Sequence, residues 1–182
     1  MANSRIEAHF EKMREIAVNM IKSICPDPKF GCEVGIWKGL LSNKLLSNFP
    51  NMELYMVDAW LPQRRPWNQQ KMLGIMKDAY ENTVSFHRRR IILVGKSTQV
   101  VHLIPDGVLD FVYIDADHSK QSVLEDLDHW YPKVRSGGFV GGHDYLARYK
   151  KFPGCTEAIN EWTKKHEYSF THNLTNWGFQ KR

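Results

Sequence analysis

A chain of 182 residues is long enough to bury one hydrophobic core and short for two. Its 42% hydrophobic and 25% charged residues describe an ordinary soluble globular protein. No apolar run is long enough to span a bilayer and residues 1–10 carry no signal-peptide core, so a cytoplasmic protein without membrane contact is expected. The net charge of +5 permits an anionic partner without demanding one. Three cysteines (Cys25, Cys32, Cys155), odd in number and not at metal-ligand spacing, argue against a disulfide framework or a zinc knuckle.

Residues 4–24 place Ile6, Phe10, Met13, Ile16, Ala17, Met20, Ile21 and Ile24 at steps of three and four, the mark of an amphipathic helix, which Pro26 and Pro28 end. It is expected to pack on a sheet or to cover a cofactor mouth. A short strand over 30–35 runs into a glycine turn, a leucine-faced helix covers 39–46, and a second strand over 53–57 ends at Asp58. This βαβ unit implies a right-handed crossover and a parallel sheet. Residues 59–90 are the least regular. Pro62, Arg64, Arg65, Pro66 and Trp67 read as a loop, and 69–86 as a helix with Met72, Ile75, Met76, Ala79 and Tyr80 on one side.

A third strand over 91–94 ends in Gly95-Lys96-Ser97, followed by a short helix over 98–103. The run from Leu109 to Ser119 is the most informative. Phe111 to Ile114 is apolar, and Asp115, Asp117 and His118 then arrive within four positions, as at the carboxyl edge of an open α/β sheet, where ligands bind. A helix follows over 119–131, and then a glycine-rich strand over 137–142 that ends at His143-Asp144. After a basic loop over 148–151 come a helix over 154–165 and two alternating segments, 168–172 and 177–180, which predict a closing antiparallel hairpin. The whole is expected to be a single α/β domain, with a mostly parallel seven-stranded sheet, a C-terminal antiparallel hairpin and helices on both faces.

The turn Glu33-Val-Gly35-Ile-Trp-Lys-Gly39 lacks the G-x-G-x-x-G dinucleotide fingerprint, and a Walker lysine motif is absent too. Asp58 stands at about the ~20-residue separation at which an acid accepts ribose hydroxyls. A glycine turn and a ribose-binding acid without phosphate-binding features suit a nucleoside cofactor that has no phosphates, S-adenosylmethionine (SAM) above all.

Four motifs in order, Cys32-Glu-Val-Gly35, Val57-Asp-Ala-Trp60, Ile114-Asp-Ala-Asp-His-Ser119 and Gly137-Gly-Phe-Val-Gly-Gly-His-Asp-Tyr145, make the chain resemble the small class I SAM-dependent methyltransferases of bacteria, with their Rossmann-like fold. The resemblance implies that Glu33 and Gly35 line the methionine end of the cofactor. It also implies that Asp58 binds the ribose, with Ala59 and Trp60 beside the adenine. Ser97 would meet the adenine edge, and Asp115 would lie near the sulfonium or the methionine amine. Ala116 stands where relatives often carry glycine. Acceptor specificity is expected in 61–86 and 145–153, where the match is weakest, and relatives often form homodimers.

Asp115 and His143-Asp144 end neighbouring strands in such a fold. One reading makes Asp115, His143 and Asp144 a divalent-cation site for Mg2+ or Mn2+, with Fe2+ and Zn2+ also compatible with an imidazole ligand. The rival reading is metal-free, with His118 or His143 as general base. The bland reading makes Asp117 a helix cap and leaves His143-Asp144 to bond across the loop. The function implied is methyl transfer to a hydroxyl of a small molecule. The alternatives are N-methylation, a metal-free enzyme, or a SAM-binding module without catalysis. Arg88, Arg89 and Arg90 could dock an acidic partner, but no nucleic-acid module accompanies them, and a solvated loop is the simpler reading.

Overall fold

The computed structural model of the chain describes residues 2–62, 67–146 and 153–182. The expected loop residues Arg64, Arg65 and Pro66 and the basic loop over 148–151 lie outside them. A seven-stranded sheet in the order β3-β2-β1-β4-β5-β7-β6 organises the chain. The strands are β1 (Phe30–Val34), β2 (Glu53–Asp58), β3 (Arg90–Val94), β4 (Leu109–Ile114), β5 (Val134–Gly142), β6 (Thr171–Asn173) and β7 (Asn176–Gln180). The first five pair in parallel, β7 runs against β5, and β6 runs against β7. Six strands therefore share one direction, as expected of this fold class.

A parallel strand is covered on both faces, and its alternate residues feed two separate layers of core. In β4, Val112 and Ile114 join one layer with Cys32, Val34, Leu127 and Trp162, whereas Phe111 and Tyr113 join the other with Leu45, Leu54 and Met56. The first layer is closed by α4 (Ser97–Val100), α5 (Lys120–Trp130) and α6 (Pro153–Lys165). The second is closed by α1 (Ala2–Ile24), α2 (Leu40–Asn48) and α3 (Gln69–Asn82). The buried residues Met13, Ala17 and Ile21 of α1 repeat at four, the stripe that predicted the helix. The aromatic residues Trp130, Trp177 and Phe179, and Met72 with them, are core, and all three cysteines are buried and free.

Several boundaries differ from expectation. The helix over 69–86 stops at Asn82, because the Thr83 hydroxyl donates to the Ala79 carbonyl at 2.7 Å and a 3-10 turn takes over at 84–86. β5 begins at Val134, three residues early, and its pairing with β4 shifts register between Leu109 and Phe111. Gly137 lies in that irregular stretch at φ +76°, a conformation glycine adopts without strain. The hairpin is shorter than expected, with Leu174 at φ 53° in the turn between β6 and β7.

Two arginines of the basic run at the start of β3 are tied into the fold. The Arg89 guanidinium donates to the carbonyls of Leu46, Phe49 and Met52 at 2.9–3.0 Å, closing the C-terminal end of α2, and Arg90 bonds the Tyr80 carbonyl and the Thr83 hydroxyl. Among the described residues no helix is long and apolar enough to cross a membrane.

Candidate active site

The chain leaves β1 towards β2 and β3 on one side, while β4 and β5 lie on the other. The carboxyl ends of β1 and β4 therefore flank the point where strand order reverses. The ladder continues one residue past each strand here. The Gly35 amide donates to the Val57 carbonyl at 2.8 Å, Asp115 to Val34 at 2.7 Å, His143 to Ile114 at 3.1 Å and Gly95 to Asp58 at 3.0 Å. Backbone pairing thus fixes Gly35, Asp115 and His143 in one row, with Asp58 at the end of the next strand.

A cleft of about 880 Å³ opens over this row, within the range of small-molecule sites. Glu33, Tyr113, Asp115, His143 and Asp144 form its floor. Gly35, at φ +91°, lies so close to β4 that a Cβ there would stand 2.1 Å from the Asp115 carbonyl oxygen. Only glycine lets these two backbones meet. Glu33 is 3% exposed and accepts a hydrogen bond from the Ser42 hydroxyl at 2.5 Å. Burial pushes its carboxyl up to about 8, against the Ser42 bond, with Asp115 and Asp58 adding to the rise. A buried acid of this kind is best stabilised as an anion by an incoming cation.

At the far end of the floor, Asp115, His118 and Asp144 each offer one ligand atom, all within 4.8 Å of one another. The His118 Nδ1 stands 3.3 Å from an Asp144 oxygen. The sequence had grouped His143 with the two acids instead. Its Nδ1 does face both, 3.2 Å from Asp144 and 3.9 Å from Asp115, but its Nε2 is 2.8 Å from the Thr175 hydroxyl. Burial alone would lower the His143 pKa, and the two carboxylates outweigh it, so the net shift is upward. The Asp115 carboxyl is itself raised by burial, with Asp144 adding and both histidines opposing. Both ring nitrogens of His143 are thus engaged, Nδ1 by the two carboxylates and Nε2 by the Thr175 hydroxyl.

Other expectations fare unevenly. Asp58 sits where expected, and its oxygens accept from the Trp37 amide at 2.9 Å and the Trp60 amide at 2.8 Å. Burial raises its pKa against these bonds. Ala59 stays half-buried next to it. The Trp60 indole is a different case. It is 1% exposed in the core and donates to the Trp37 carbonyl at 3.0 Å, so its ring offers no face to an adenine. The Ser97 hydroxyl bonds Asp126, a buried acid raised to about 6, so it is held by α5 rather than open to an adenine edge. Tyr145 is buried, donates to Asn160 at 3.1 Å and meets the Phe170 ring edge-on. Trp67 packs at a tilt against Trp37, which lines the cleft, at 5.1 Å between ring centroids. Asp117 is not itself the cap: it lies two residues before it, accepts from the Ser119 amide at 2.8 Å, and its bonds to Ser119 and Ser122 hold its pKa down against burial. Ser119 is the N-cap of α5.

Sequence reasoning missed Thr175 and Tyr113 and gave α1 no ligand-facing residues, yet His9, Phe10, Lys12 and Met13 line the cleft. Phe10 carried the one available signal, since it lies on the apolar stripe of α1 but is half exposed.

A family model described as a methyltransferase domain matches residues 32–145. The chain belongs to this family of SAM-dependent methyltransferases. Its matched span runs from β1 to the segment after β5, the part that builds the floor. The O-methyltransferase NovP shares the fold with a TM-score of 0.68 and 19% identity, over 93% of this chain and 79% of that one. Precorrin-6y C5,15-methyltransferase of Geobacter metallireducens GS-15 gives 0.69 and 16%, over 94% and 88%. Protein R132 of Acanthamoeba polyphaga mimivirus is 28% identical over 96 residues, which are 48% of this chain and 42% of that protein. The match thus spans less than half the length of that curated relative.

Proposed function

We propose that this protein transfers a methyl group from SAM to a hydroxyl oxygen of a small molecule in the cytoplasm, with a divalent cation assisting. The observation that carries the reading is the acidic floor at the reversal of strand order: Glu33, Asp115 and Asp144, with Gly35 leaving room for close approach. SAM bears a sulfonium and an ammonium, and these residues suit both charges. SAM supplies the methyl group. Glu33 and Gly35 hold its methionine end and Asp58 its ribose, while Asp115 faces the sulfonium. The buried, raised Glu33 ionises against the incoming cation.

The clustered oxygens of Asp115 and Asp144 with the His118 nitrogen fit a hard or borderline divalent ion such as Mg2+ or Mn2+. An ion there would lower the pKa of an acceptor hydroxyl. With SAM and an acceptor bound, Asp115, His118 and Asp144 would position the acceptor oxygen, and alignment with the methyl group would account for much of the rate. In the metal-free alternative the geometry favours His118 over His143 as general base, because both ring nitrogens of His143 already have partners. NovP is named an O-methyltransferase and the Geobacter protein a C-methyltransferase, so fold alone does not choose the acceptor atom.

Calorimetric titration with S-adenosylhomocysteine tests the cofactor. Micromolar binding is expected, and binding of NAD in its place would defeat the proposal. For the ion, Mn2+ is expected to raise the melting temperature of the wild type but not of Asp144→Ala. An unchanged melting temperature and activity after EDTA treatment would remove the ion from the mechanism.

A further inference from the structure

We infer that the acceptor is an organic acid: a molecule with an apolar body, a hydroxyl to be methylated and a separate anionic group that Lys12 of α1 binds. The inference rests on the methyltransferase reading and adds the substrate class. The cleft is acidic at its floor, but its rim has a different character. Phe10 is 50% exposed, Leu146 52% and Leu174 47%, and all three face the same opening. Exposed apolar side chains from three separate segments around one cleft mark a surface that an apolar occupant covers.

Charge on the rim narrows the choice. Besides His143 in the floor, four basic residues line the cleft: His9, Lys12, Arg14 and Lys38. Arg14 is paired with Glu7 and Glu11, and the Lys38 ammonium lies 2.8 Å from an Asp78 oxygen. Lys12 pairs with no acid among the described residues and sits one helical turn from His9 and next to Met13. An unneutralised ammonium next to an apolar lip favours an anionic substituent, and it repels a cationic one. Without a bound ion the floor's carboxylates offer an acid no partner, whereas the rim ammonium does, so the two ends of an acceptor are sorted. The hydroxyl goes down to Asp115 and Asp144, and the acid stays at the rim.

Three ligands test this: 3,4-dihydroxybenzoate, its methyl ester, and 3,4-dihydroxybenzylamine. Each is titrated into protein saturated with S-adenosylhomocysteine. The acid is expected to bind about fivefold tighter than the ester, the scale of one exposed ion pair, and the benzylamine weakest. The preference should shrink in high salt. Lys12→Gln is expected to erase it, Lys12→Arg to keep it, and Lys12→Glu to turn it towards the benzylamine. These are exposed positions on a helix, so the variants are expected to fold, and their melting temperatures check that. No preference in the wild type, or one that survives Lys12→Gln, overturns the inference. So does an equal loss of S-adenosylhomocysteine affinity in Lys12→Gln, which would assign Lys12 to the cofactor carboxylate. Failure of S-adenosylhomocysteine to bind at all would instead overturn the methyltransferase reading.

Discussion

Glu33 shows how one side chain couples cofactor chemistry to stability. It projects from β1 into the layer closed by α1 and α2, where solvent is excluded and Ser42 is its hydrogen-bond partner. Its folded pKa of about 8 lies above the ordinary carboxyl value of 4.5. A raised folded pKa means that the native state holds the proton more tightly than the unfolded chain. The associated stability is fully present below about pH 4.5 and is lost as pH rises through about 8. The ligand-free protein is therefore expected to lose stability between pH 5 and 8, at no more than about 1.4 kcal/mol per pH unit from this group. Urea unfolding at a series of pH values would show a flatter profile in Glu33→Gln. Parallel profiles for the two proteins would mean that Glu33 is ionised in the native state. Asp126, raised to about 6 in the same sense, gives a second and narrower window. A calorimeter would also see Glu33 release a proton when S-adenosylhomocysteine, with its ammonium, enters at pH 7, and Glu33→Gln would lack that release.

At the scale of elements, the same chemistry that misleads a reader of charge runs holds the fold together. Arg89 closes the α2 end with three carbonyl bonds from a half-buried guanidinium, so Arg89→Met is expected to cost about 2 kcal/mol. Chemical denaturation measures this, and an unchanged midpoint would mean that water replaces the guanidinium without loss. Arg88→Ala, which breaks no such bonds, should leave stability unchanged. The contrast shows what was legible. Strand ends were readable because alternation and glycine turns are local, so Gly35, Asp58, Asp115 and His143 fell on the edge as the pattern required. Partners were not readable, because they depend on packing between distant segments. Trp60 looked like a ligand-facing aromatic at a strand end, yet the turn at φ 40° folds its indole into the core. Ser97 was taken by α5, and His118 joins the cluster of ligand atoms with Asp115 and Asp144, while His143, whose Nδ1 also faces both acids, has its Nε2 turned to Thr175. Nothing in spacing alone distinguishes those two histidines. The difference is Thr175, 32 residues beyond His143 in the closing hairpin.

At the scale of the whole molecule, the cleft is closed by the two ends of the chain. Asn176, at the start of β7, is fully buried; its amide nitrogen donates to the Met13 carbonyl at 3.3 Å, and its oxygen accepts from the Tyr113 hydroxyl at 2.5 Å. One side chain thereby ties α1, β4 and the hairpin together under the acceptor end of the cleft. The Thr175 hydroxyl lies 3.6 Å from the Met13 sulfur, on the same seam. Asn176→Leu keeps the volume and removes both bonds. It leaves the Tyr113 hydroxyl unpaired in a site that excludes water. A loss of about 2–3 kcal/mol is expected, the penalty for an unsatisfied buried polar group. The functional effect should be uneven. In the proposed arrangement the β1 and β2 turns, which Asn176 does not touch, would hold the cofactor, whereas the acceptor would rely on the placement of Met13 and its neighbours on α1. The variant is therefore expected to raise the KM for the acceptor severalfold while leaving S-adenosylhomocysteine affinity within about twofold of wild type. An equal loss of both would mean that α1 serves the whole cleft rather than its acceptor side. Unchanged stability and an unchanged acceptor KM would show that this seam places neither α1 nor the acceptor.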